Sequence, residues 1–175
     1  MRNKAASGLA ATLLLAMTAA PGLAADKPSD PQIAHIAYTA GDIDIKAAKV
    51  ALDKSKNDKV RSFANDMVRD HQAVNDKALA LVKKLNVTPE DNDTSKGLVT
   101  SADQKAAELG KLSGAAFDKA YAENELAYHK TVNGALEKTL IPSADNGELK
   151  SLLQTGLKIF QGHQHHAETL VKDLK

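Results

Sequence analysis

Three histidines, His71, His129 and His163, each stand in the apolar stripe of a separate amphipathic stretch. At helical period Val60, Met67, Val74 and Leu81 form one row, and Ala64, His71, Ala78 and Leu85 form the row four residues on. His71 therefore points where its apolar neighbours point, into a core. His129 shares a face with Asp118, Tyr121, Glu125, Val132 and Leu136, and His163 shares one with Leu149, Leu153, Gly156, Phe160, Ala167 and Leu170. Acids accompany them: Asp70 directly precedes His71, Glu125 lies one turn before His129, and Asp44 falls between Ala40 and Ala47. Neutral imidazoles and carboxylates converging between helices are a ligand set for a divalent transition metal such as Fe, Mn, Zn or Cu. On this reading His71, His163 and Glu125 are the core ligands, and His129, Asp70 and Asp44 are further ligands or orient the first three.

The same residues admit a second reading. A core histidine can donate to a carboxylate or carbonyl on the next helix and do nothing else. The chain would then be an envelope interaction or stress protein with structural histidines. The run His163-Gln-His-His166 is a weaker signal, with His165 facing away and His166 at the stripe's edge. Tyr38, Tyr121 and Tyr128 read as packing residues with a hydrogen-bonding tip. No nucleophile triad, phosphate-cradling glycine loop or nucleotide motif stands in the sequence, so nothing in it argues for an enzyme.

The 175 residues divide into a leader over 1–25 and one domain over 26–175. Arg2 and Lys4 open the leader, Leu9 to Ala20 form a short apolar run, and Pro21-Gly-Leu-Ala-Ala25 offers small residues for cleavage after Ala24 or Ala25. The pattern predicts export to the periplasm, and no later stretch is long and apolar enough for a membrane span. The chain has no cysteine, which excludes disulfides, thiolate metal sites and a lipidated cysteine. Without Arg2 and Lys4 the 23 basic residues become 21 against 22 acids, a net −1. That balance does not suit a nucleic-acid binder. Aromatic residues at 3% and no tryptophan suit close-packed helices better than sheets.

Helices are expected at about 31–53, 56–86, 102–140 and 146–174. Asp30-Pro31 opens the first, Ser55 the second, the box Ser101-Ala-Asp-Gln104 the third, and Asp145-Asn-Gly-Glu148 the fourth. Thr88-Pro89 ends the second helix, 90–100 is a long polar connection, Ser113-Gly114 weakens the third, and Pro142 stops it. Two tight connections and one long one predict an all-α, antiparallel four-helix bundle. At ~1.5 Å per residue the third helix overhangs its neighbours by ~13 Å. His71, His163 and Glu125 then fall within about 5 Å of one level, with His129 roughly a turn higher near Asp44. Asp70 is expected to act on His71, whereas the stripe neighbours of His163 bring no charge and leave desolvation to depress its pKa.

The motifs Met67-Val-Arg-Asp70-His71 and Phe117-Asp118-Lys-Ala-Tyr121, followed by His129 and the lone inward His163, resemble one exported bacterial family. It is the domain-of-unknown-function 4142 family, often labelled an outer membrane protein. The similarity runs from about Ala34 to Leu170, and the matching positions are Asp70, His71, Asp118, Tyr121, His129 and His163. The resemblance implies a ferritin-like four-helix fold and imports no settled activity. The outer-membrane label fits poorly, because the chain has no barrel pattern. The di-iron signature of true ferritins is missing too: no Glu stands three residues before His71, His129, His163, His165 or His166. Ferroxidase chemistry and iron storage therefore lack their ligands.

Overall fold

The computed structural model describes residues 27–175, and the expected leader lies outside them. The described chain is all-helical: α1 (Asp30–Lys54), α2 (Asp58–Lys84), α3 (Asp93–Gly110), α4 (Gly114–Ala135), a π-helical turn (Leu136–Leu140), α5 (Ile141–Ser143) and α6 (Gly147–Asp173). No described helix is long and apolar enough to cross a membrane.

The caps explain where the helices start. Ser29, not Asp30, caps α1, in a reciprocal box with Gln32. Asp30 instead accepts the backbone N–H groups of Asp145 (2.9 Å) and Asn146 (2.8 Å), which ties the start of α6 to the start of α1. Ser55 does not open α2. It is the buried C-cap of α1, and Asn57 caps α2 by accepting from Lys59 and Val60. Asn146 caps α6 in the same way.

The single helix expected over 102–140 is two helices, and the polar connection expected over 90–100 is mostly the beginning of the first. Asn92 and Ser95 form a capping box for α3, so Ser101 to Gln104 lie inside that helix. The chain breaks at 111–113, and α4 resumes at Gly114, whose φ of 55° is one a side chain would resist. At the far end Pro142 does not stop the helix. It has no N–H for the carbonyl four residues back. The turn before it opens to wider pairing, Ile141 N–H to Leu136 C=O, and helix continues to Ser143.

Cross-helix contacts fix the directions. Arg61 donates to the Leu52 carbonyl and Asn75 to the Tyr38 carbonyl (3.3 Å), so α1 and α2 are antiparallel. Lys59 meets Asp173 at one end and Lys84 meets Glu148 at the other, so α2 and α6 are antiparallel. Asn133 donates to the Gln164 side chain and Gln161 to Glu137, so α4 and α6 are antiparallel as well. Glu90 and Asn92 bond the backbone at Pro31 and Gln32, while Lys54 reaches the Gly110 carbonyl. Thus α3 runs the length of α1 and returns the chain to the end where α2 began, which lets α4 run parallel to α2.

Two apolar clusters fill the interior. One end holds Phe63, Met67, Phe117, Tyr121, Ala167 and Leu170; the other holds Ile33, Ile36, Leu136, Leu149, Leu153 and Phe160. Along each of α1, α2, α4 and α6 the sequence passes from one cluster to the other through polar residues. These are Asp44, His71, Glu125 with His129, and His163, each at most 6% exposed. A polar layer so placed is costly unless its groups find partners.

Candidate metal centre

The rings of His71, His129 and His163 form a near-equilateral triangle, with centroids 5.7, 5.3 and 5.4 Å apart. One nitrogen of each lies within 4.8 Å of the others. A central point is then at most about 2.8 Å from all three, against a metal–nitrogen bond of ~2.0–2.1 Å. Small inward shifts of the side chains would close that gap.

Hydrogen bonds outside the triangle decide which nitrogens face in. His129 Nδ1 lies 2.9 Å from the Glu125 carbonyl, which can only accept, so Nδ1 carries the proton and Nε2 keeps its lone pair. His163 Nε2 lies 3.0 Å from Asp70 Oδ2 and donates to it, leaving Nδ1 bare. Asp70 stays ionised, because Arg69 binds both its oxygens and holds its pKa below the usual carboxylate range. His71 is fixed by packing: its ring stacks on Phe160 at 4.3 Å and 7°. His129 Nε2, His163 Nδ1 and both His71 nitrogens are buried without a hydrogen-bond partner. A carboxylate or carbonyl fixing the outer nitrogen of an inward imidazole is the usual support for a metal-ligating histidine.

Asp44 lies beside the triangle, Oδ2 being 3.4 Å from His71 Nε2 and 3.5 Å from His129 Nε2. Both of its oxygens lack hydrogen-bond partners. Asp44, Glu125 and His129 make a second buried group of possible ligands. Burial raises Asp44 to about 8, and burial together with the Asp44 charge pushes Glu125 well above its ordinary value. Asp44 thus keeps a proton at neutral pH, and Glu125 holds its proton more tightly than an exposed carboxyl does. Desolvation, the largest cause in each case, keeps the imidazoles neutral. It carries His71 well below 6.5, His129 to about 4, and His163 down against the opposing pull of Asp70. Neutral imidazoles are the form that binds metal.

All six residues singled out in the sequence surround this layer, with His129 and Glu125 at other places in it than expected. His129 is no turn away: it completes the triangle, and Glu125 lies beside it, Oε2 being 3.9 Å from Nδ1. Asp70 hydrogen-bonds His163 across the α2–α6 contact, and on its neighbour His71 it acts only through its charge, a smaller effect than burial. The expectation that His163 has no carboxylate partner is thereby corrected, although its pKa is still lowered. Asp118 and Tyr121 stand apart from the triangle. Tyr121 stacks on Phe117 in the aromatic cluster, and its ionisation is suppressed by burial and by Glu125 and Asp44. His165 is exposed, and His166 lies 3.8 Å from Asp66 at the surface. Sequence reasoning missed Phe160 as the plate behind His71. Tyr128, expected to pack with a hydrogen-bonding tip, donates its hydroxyl to the Ala40 carbonyl (2.8 Å) and bolts α4 to α1 beside the site.

Residues 15–170 match the family described as "Domain of unknown function (DUF4142)". The chain belongs to the DUF4142 family. No curated protein matches it significantly. Among solved structures it is similar to "CopM in the Cu(II)-bound form", with a TM-score of 0.65 at 10% identity. The match covers 86% of this chain and 100% of that one, and at that identity the shared property is the fold.

Proposed function

We propose that this DUF4142 chain is an exported, ferritin-like four-helix bundle that holds one divalent transition metal ion between its helices. The four helices are α1, α2, α4 and α6, with α3 as the crossover. His71, His129 and His163 would supply three neutral nitrogens and Asp44 a carboxylate oxygen. Asp70 would orient His163, and Glu125 would position His129 through its carbonyl while sharing protons with Asp44. One observation carries the reading: unpartnered nitrogens of His71, His129 and His163 converge in a buried layer beside Asp44, and outer hydrogen bonds already orient the rings of His129 and His163.

Three imidazoles with one carboxylate suit the borderline ions Zn(II) and Cu(II) better than Mg or Ca, which prefer oxygen. The similar solved structure is of CopM with Cu(II) bound, which makes copper the first ion to try. An ion there would polarise or exchange a ligand; the chain's own residues hold it, exclude water and release the Asp44 proton on binding. The leader over 1–25 supports a periplasmic site of action.

One observation favours a second reading. A proton on Asp44 could bridge to His71 or His129 at 3.4–3.5 Å, making the layer a structural network. Calorimetric titration of the metal-free mature protein with Cu(II) and Zn(II), with melting curves in and out of chelator, separates the two. The proposal expects one ion per chain and a melting temperature that chelator lowers, with neither effect in His129→Ala. Melting indifferent to metal and chelator, with no uptake, would leave the structural network.

A further inference from the structure

A cavity of about 680 Å³ opens from the polar layer toward the end of the molecule where α1 and α6 begin. Small residues line part of it, Ala34, Ala37, Ala40, Gly41, Ala78 and Ala135, beside larger apolar side chains. The opposite end of the interior is filled by Phe63, Phe117 and Tyr121, fully buried. Larger side chains at the alanine positions would narrow the space, and close packing is the rule elsewhere in protein interiors. The π-helical turn adds to it, since Leu136, Lys138, Thr139 and Leu140 line the same space. Such wide turns recur at functional sites.

The inner end of the cavity is not apolar. Asp44, His71 and His129 face it, and Asp44, His71 Nε2 and His129 Nε2 are buried without partners. The tautomer of His129 makes its inward nitrogen an acceptor. A hydroxyl can donate to the bare His129 Nε2 and accept from the protonated Asp44, whereas a carboxylate has no proton to offer that lone pair. We propose that the cavity binds an uncharged apolar molecule bearing one hydroxyl, of the alkylphenol or fatty-alcohol class, with its hydroxyl at Asp44, His71 and His129 and its hydrocarbon along the alanine-lined wall. Its polar end shares Asp44, His71 and His129 with the proposed metal centre, so the hydroxyl and an ion exclude one another there and the metal-free protein is the form that binds.

The test uses the metal-free mature protein and a series of 4-alkylphenols from 4-ethyl to 4-hexyl, with 1-alkanols as a second arm, followed by calorimetry. Affinity should rise about fourfold for each methylene added. 4-Hexylanisole, which has no donor, should bind about tenfold or more weakly than 4-hexylphenol, and hexanoate weaker than 1-hexanol. Whichever of the phenol and alkanol series binds tighter at equal chain length identifies the natural class. Ala78→Phe should abolish binding, and Leu98→Trp, on the α3 side of the wall, should do the same if Ala78→Phe does not fold. Leu79→Ser, at an exposed position outside the cavity, should leave affinity unchanged. Affinity independent of chain length, anisole binding equal to phenol binding, or no binding by the unmodified protein would each overturn the proposal.

Discussion

Asp70 Oδ2 accepts the Nε2–H of His163 at 3.0 Å, so a carboxylate on α2 sets which nitrogen a histidine on α6 turns toward the core. Arg69 holds the same carboxylate from the solvent side with two hydrogen bonds. Asp70 is thus a positioning residue for His163, and replacing it removes an orientation without removing a ligand. Asp70→Asn should weaken Cu(II) or Zn(II) binding by about 10–100-fold and shift the midpoint of urea unfolding little. Competition against a chelator of known affinity measures the first quantity. An unchanged metal affinity would show that the His163 tautomer does not depend on Asp70.

The polar layer sets opposing pH dependences in the metal-free protein. His71, His129 and His163 are held below 6.5, so as pH falls through that value the unfolded chain takes up protons the folded chain refuses, and stability drops. Asp44, raised to about 8, and Glu125 keep protons in the folded state that the unfolded chain has released above about 4.3. Their contribution is present in acid and is lost as pH rises. Between 6.5 and 8 only the acids act, at up to about 1.4 kcal/mol per pH unit for each proton. Urea unfolding of metal-free protein should therefore show lower stability at pH 8 than at pH 6.5. A stability that keeps rising to pH 8 would mean the buried acids are ionised in the folded state.

Gly41 marks the closest approach of α1 to α2 near the site. A methyl group there would lie 2.4 Å from Oδ1 of Asn75, the side chain that donates to the Tyr38 carbonyl. Gly41→Ala has to displace Asn75 or spread the two helices, and Asp44 and His71 stand one turn further along them. The substitution should cost about 1–3 kcal/mol in urea unfolding despite alanine's better helix propensity. An unchanged or raised stability would show that Asn75 can swing away freely.

Helical period alone reveals the inward faces of His71, His129 and His163, because a stripe three and four residues apart must share a side. It cannot reveal that Asp70 reaches His163, since that contact depends on which face of α2 meets α6. Helix α3 is hidden for a different reason. Its stretch is polar, only Ser95 and Leu109 are buried along it, and its cap pairs Asn92 with Ser95 where Glu or Gln is the familiar partner. Ser101 to Gln104 have the more familiar form of a cap, yet they stand in the middle of the helix. Taking α3 and α4 as one rod displaces the levels along α4 and puts His129 a turn from its true neighbours.

X-ray absorption at the edge of the bound ion, on Cu(II)- or Zn(II)-loaded mature protein, tests the central claim most directly. Three imidazole nitrogens at about 2.0–2.1 Å are the predicted result. A shell of oxygens with at most one imidazole would contradict it and place the ion outside the triangle of His71, His129 and His163.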